Sequence, residues 1–185
     1  MTKALLIIDV QNAILEGQGT PERQPHIDRA LNDVIARLRL LQEKARIAGV
    51  AVVIVQHDGD GKHPLAIGTE GWAIRDEIAP AVSDVVVHKR SSDSFFGTDL
   101  SDRLDERSVT HLVMGGCMTQ FCVDTTVRRA VSLGYDVTLI SDGHATADQG
   151  NLTFSQIVEH HNRTLDGFDA GGHSVELRLA NDIAF

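Results

Sequence analysis

The 185-residue chain is 42% hydrophobic with a formal net charge of -9, which suits one buried core over residues 1–185 and excludes non-specific binding to nucleic acid or anionic membranes, since both need clustered Lys and Arg. No apolar run approaches the ~18 residues that span a bilayer, and Lys3 leads straight into a strand-like run without a cleavage site, so a soluble, cytoplasmic protein with a small-molecule substrate is expected. Two cysteines, Cys117 and Cys122, give no disulfide framework and leave a reactive thiol as the default.

In chain order, residues 4–10 form the first strand-like run, apolar for most of its length as a strand covered on both faces is. A long helix follows, in which Ile27, Leu31, Val34, Ile35, Leu38, Leu41 and Ala45 fall at steps of three and four and share one face. Gly49 is its stop. Residues 50–56 are the second strand, and 57–80, with four glycines and no periodicity, read as a binding loop or lid. Residues 84–89 are the third strand, 99–106 a short helix and 111–115 the fourth strand. The next helix is expected to start at Thr119 as N-cap, to bury Val123, Val127, Ala130 and Val131, and to stop at Gly134. Residues 135–141 are a fifth strand, 151–165 a further helix with Asp148 as its cap, and 174–179 a last strand after the turn-rich 166–172. This alternation predicts a doubly wound, Rossmann-like α/β domain with a parallel sheet.

In an open parallel sheet, ligands bind beyond the carboxyl ends of the strands, so polar residues that close apolar runs carry the chemistry. Asp9 closes the first run, Lys89 closes the third, and Cys122 lies just past the fourth, in the first turn of the next helix. Alone, each also reads as structural: a cap, a solvated strand end and a small buried hydrophobe. Together on one rim they make a catalytic set of nucleophile, proton acceptor and charged partner. The helix start and the ammonium are expected to favour thiolate over thiol. Cys117 is expected to face the interior. Gln11, Trp72, Phe95, Phe96 and Met118, which flank the rims or the long loop, are expected to line the substrate pocket.

The runs ALLIIDVQN, HKRSSDSFFGTDL and MGGCMTQFCVDTTVRRAVSLGYDVTLISDGHAT make the chain resemble the isochorismatase-like cysteine hydrolases over nearly its whole length. In the third run Gly116, Thr119, Cys122, Val123, Thr126 and Ala130 match that family's Gly-x-x-Thr-x-x-Cys-Val-x-x-Thr-x-x-x-Ala pattern. The resemblance implies a six-stranded parallel sheet with helices on both faces and a triad of Asp9, Lys89 and Cys122. It implies a cis peptide between Cys117 and Met118, and an oxyanion hole built from the Met118 and Cys122 backbone amides. It also implies a homodimer or homotetramer that hydrolyses a C–N bond of a small amide or ureido compound through an acyl-thioester on Cys122, without a cofactor.

Nicotinamidase-type relatives hold a metal through an Asp-x-His pair and a second His. Here His57 and His63 stand for the histidines, but Val55 replaces the Asp, so no metal is predicted and the two histidines read as loop or substrate-contacting residues. His88, His144, His160 and His161 read as structural or surface side chains. Two other functions stay open: hydrolysis of an isochorismate-type vinyl ether, and non-catalytic binding of a small molecule on the same fold.

Overall fold

Short runs rich in Val, Ile and Leu can stay dry on both faces only if their backbone N–H and C=O groups pair with each other, which makes them strands of one sheet. In the computed structural model, which describes residues 2–185, these are β1 (Lys3–Ile8), β2 (Ala51–His57), β3 (Val85–Lys89), β4 (His111–Cys117), β5 (Asp136–Ala145), β6 (Asp169–Ala170) and β7 (His173–Arg178). They pair in the order β3-β2-β1-β4-β5-β7-β6. Every neighbouring pair is parallel except β6 with β7. The six-stranded parallel sheet is present, with one edge strand more than expected. Gly171 and Gly172 both take positive φ, the geometry of a two-residue hairpin turn, and so fold β6 back on β7.

Among the described residues four α-helices connect the strands: α1 (Gln24–Ile47), α2 (Leu100–Asp105), α3 (Asp124–Ser132) and α4 (Phe154–Leu165). The predicted face of α1 is buried and packs with Leu5, Ile7, Val52, Ile54 and Val113 on one side of the sheet. The alternate residues Leu6, Ile8, Val53, Val55, Leu112 and Met114 point the other way, against Leu100 and Leu104 of α2 and Val127 and Val131 of α3. Strand side chains alternate in direction, so one apolar run feeds two cores. α4 begins three residues later than the pattern suggested, where Thr153 and Gln156 form a reciprocal capping box and Asp148 Oδ1 accepts from Phe154 N at 2.7 Å. Among the described residues no helix is long and apolar enough to cross a membrane.

The strand order runs outward in opposite directions from β1 and β4, and such a reversal opens a crevice at the carboxyl ends of the two strands. Gly116 lies there with φ 129, and a Cβ on it would sit 2.1 Å from Ile8 O. Only glycine lets β4 close on β1 at this point.

Candidate active site

Three strand ends deliver the polar residues to that crevice. β1 stops at Ile8, and Asp9 turns the chain with φ 51, an uncommon left-handed conformation for a residue other than glycine. Its amide donates to Val55 O at 2.9 Å, which ties the turn to β2. Lys89 is the last residue of β3 and lies in register with His57 of β2. Its Nζ stands 2.6 Å from Asp9 Oδ2, donates to Ser91 O at 2.8 Å and lies 3.2 Å from Cys122 Sγ. These three partners match the three protons of an ammonium.

Cys122 reaches the crevice differently from the expectation. Thr119 is not an N-cap; residues Thr119–Val123 form a π-helical turn ahead of α3. Thr119 is buried, and its Oγ1 lies 2.9 Å from His144 Nδ1, while His144 Nε2 lies 2.9 Å from Asn162 Oδ1. Asn162 Nδ2 donates to Ser141 O, so Asn162 Oδ1 accepts the His144 Nε2 proton and His144 Nδ1 accepts from the Thr119 hydroxyl. The turn that carries Cys122 is thus anchored to β5 and α4 through a neutral histidine. The Cys117-Met118 peptide is cis, and among the described residues the Met118 amide has no hydrogen-bond acceptor.

Water is excluded from the Asp9 and Lys89 side chains, which are 1% and 0% exposed, so their attraction is little screened. Burial raises the Asp9 carboxyl above the ordinary carboxylate range, with Lys89 acting against it. Burial, and then the Asp9 charge, push the Cys122 thiol up to about 12 in spite of Lys89. The expected preference for thiolate is therefore corrected: desolvation and the adjacent carboxylate outweigh the ammonium. At rest Cys122 is a thiol beside a carboxylate of raised proton affinity. Beyond Lys89 and the neighbouring Cys122 thiol no donor is aimed at either Asp9 oxygen among the described residues, which leaves acceptor capacity for the thiol proton. Cys117 faces the interior, where burial raises its thiol further.

A cavity of about 270 Å³ opens over these groups, lined by Asp9, Met118 and Cys122, by Ala13, Ile14 and Gln18 after β1, by His57 at the end of β2, by His63, Pro64 and Leu65 of the loop that follows, and by Ser92 and Phe121. A larger concavity of about 640 Å³ lies by Lys3, Val50 and Ala51, at the opposite end of the strands from this chemistry. Of the five residues expected to contact substrate, only Met118 lines the cavity. Gln11 is buried, donating to His57 O at 3.0 Å and Trp72 O at 2.7 Å, and clamps the long loop. Trp72 donates its indole N–H to Asp58 at 2.8 Å and stacks on His88. Phe95 belongs to the core and stacks on Tyr135 with ring centroids 5.8 Å apart. Phe96 lines a neighbouring groove with Asp58, His88 and Arg90.

Ala13, Ile14, Gln18, Ser92 and Phe121 also line the cavity, and they follow strand ends without any periodic signal that marks them in the sequence. Phe121 had one available sign, a large apolar side chain off the buried stripe of its helix. His57 and His63 face each other with ring centroids 5.3 Å apart. Among the described residues they belong to no group of three or more metal-ligating side chains, and Val55 is a buried core residue.

A family model for the isochorismatase domain matches residues 3–164. The chain is similar to streptothricin hydrolase from Streptomyces noursei, 38% identical over 146 residues, which is 79% of this chain and 50% of that protein. It therefore spans about half the length of that relative. It is 29% identical over 168 residues to the ureidoacrylate amidohydrolase RutB of Stutzerimonas stutzeri, covering 75% of this chain and 68% of that one. An isochorismatase-like hydrolase from Alkaliphilus metalliredigens matches with TM-score 0.76 and 26% identity, over 98% of this chain and 96% of the other.

Proposed function

This chain belongs to the isochorismatase family, and on that premise we propose that it is a cysteine hydrolase that cleaves a C–N bond of a small amide or ureido compound. The observation that carries the reading is the contact of Lys89 with both Asp9 and Cys122 at the floor of one cavity. A thiol, a carboxylate and an ammonium so arranged can move one proton without ever leaving an isolated buried charge.

Cys122 Sγ attacks the substrate carbonyl while its proton passes to Asp9, whose raised proton affinity suits a base. The C=O electron pair moves to oxygen, and the Met118 and Cys122 amides hold the resulting oxyanion. Asp9 then gives the proton to the leaving nitrogen as the C–N bond breaks, and an acyl-thioester remains on Cys122. Water, deprotonated by Asp9, attacks that thioester; the C–S bond breaks and the proton returns to sulfur. Lys89 supplies the positive charge that balances the negative one as it passes from Asp9 to the oxyanion and back.

A panel of small amides, ureido compounds and isochorismate-type ethers, assayed for ammonia or ring product, tests this reading. Ammonia release that disappears in Cys122→Ala, with an acyl adduct on Cys122 found by mass spectrometry, is the expected result. Full turnover by Cys122→Ala would overturn it, and turnover of the ethers alone would move the protein to a different bond class.

A further inference from the structure

A carboxylate that enters a small cavity gives up its water and costs several kcal/mol unless a cation or a set of donors receives it. Among the described residues the cavity above Cys122 offers no free cation. Lys89 is sealed from solvent and its three donors are committed to Asp9, Ser91 and Cys122. Among the described residues no arginine and no lysine lines the space. Arg90, the next residue along, lines the neighbouring groove instead and pairs with Asp60 at 3.1 Å.

The remaining titratable side chains on the walls are His57 and His63. Burial and the nearby Lys89 both lower the proton affinity of His57. His63 Nδ1 already accepts from Leu65 N at 3.1 Å. Asp9 itself faces the same space and repels a second anion. What the walls do offer is apolar surface from Ala13, Leu65 and Phe121, with Gln18 and Ser92 as neutral hydrogen-bonding groups.

We infer that this site admits small substrates whose non-reacting end is uncharged and rejects those that carry a carboxylate there. As a statement about substrate class it rests on the hydrolase reading above, but the discrimination belongs to the cavity and is measurable at the nucleophile alone.

Iodoacetamide and iodoacetate differ chiefly in that charge. In each case the Cys122 sulfur displaces iodide, forming an S–C bond as the C–I bond breaks. Rates at Cys122 in the whole chain, read by mass spectrometry with Cys122→Ala as blank, are divided by the rates of the same reagents with 2-mercaptoethanol. The normalised preference for iodoacetamide is expected to be about tenfold or more; a ratio near one, or a preference for iodoacetate, overturns the inference.

The second arm compares hydrolysis of pentanamide and of glutaramate, which share a five-carbon chain. Cleavage of pentanamide with little cleavage of glutaramate is expected. Equal or faster cleavage of glutaramate overturns the charge selection and leaves the amidase reading standing. No cleavage of either amide, together with a strong preference for iodoacetamide, supports the charge selection and counts against the amidase reading.

Discussion

Lys89 Nζ lies 2.6 Å from Asp9 Oδ2, and both side chains are closed off from solvent. Breaking such a pair strands a buried charge, and removing one partner costs about 3–5 kcal/mol. Lys89→Met is expected to lose stability on that scale in urea denaturation, while Asp9→Asn/Lys89→Met recovers most of the loss because no charge is left behind. Neither variant should turn over substrate. Equal stability of Lys89→Met and wild type would contradict an ion pair in this position.

The opposed influences on Cys122 give a prediction with a definite sign. The Asp9 charge raises the thiol and Lys89 lowers it. Asp9→Asn is therefore expected to speed iodoacetamide labelling of Cys122 at pH 8 while abolishing hydrolysis, and a thiol lowered by one unit corresponds to about tenfold more thiolate. Lys89→Met should slow labelling. Wild-type labelling should be slow at neutral pH and climb as pH rises toward 12. Slower labelling in Asp9→Asn than in wild type would place the carboxylate's influence wrongly.

His144 is fully enclosed, and burial lowers it from 6.5 to about 4. A histidine depressed in the folded state contributes stability that is complete above its unfolded value and is lost as the pH falls through the folded one. The window is therefore pH 6.5 down to about 4, and the shift corresponds to about 3 kcal/mol. His144→Gln should flatten the fall in stability across that window by about this amount, as read from urea midpoints at each pH. Because Thr119 loses its acceptor, kcat should fall as well. Parallel pH profiles for the two proteins would show that His144 does not set the acid limb.

Phe95 and Phe96 should behave as opposites. Phe95→Ala opens a void against Tyr135 and is expected to cost about 3–5 kcal/mol, with KM unchanged in whatever fraction stays folded. Phe96→Ala, at a side chain 73% exposed, should stay within about 0.5 kcal/mol of wild type. Met118→Ala, which changes the cavity wall, should instead shift KM. Thermal melts and substrate titrations of the three variants separate these outcomes.

Much of the fold was legible because its signals are local. The runs around Leu6, Ile54, Val87, Val113 and Leu139 are strands, and the three-and-four spacing from Ile27 to Ala45 marks the buried face of α1. What escaped were features set by backbone detail or distant partners. The hairpin at Gly171 and Gly172 depends on two positive φ angles. The π-helical turn at Thr119 depends on His144, 25 residues away.

By itself the sequence determined the strand order's raw material, the apolar stripe of each helix and the placement of Asp9, Lys89 and Cys122 at strand ends, since spacing along the chain fixes which residues share a face or a rim. Tertiary structure alone decided the rest. It made Cys122 a thiol, because its proton affinity follows from the dryness of the crevice and the Asp9 charge, neither of which is written beside it in sequence. It also sent Phe95 into the core and left Phe96 outside, because the direction of two adjacent aromatic rings is settled by what packs against them.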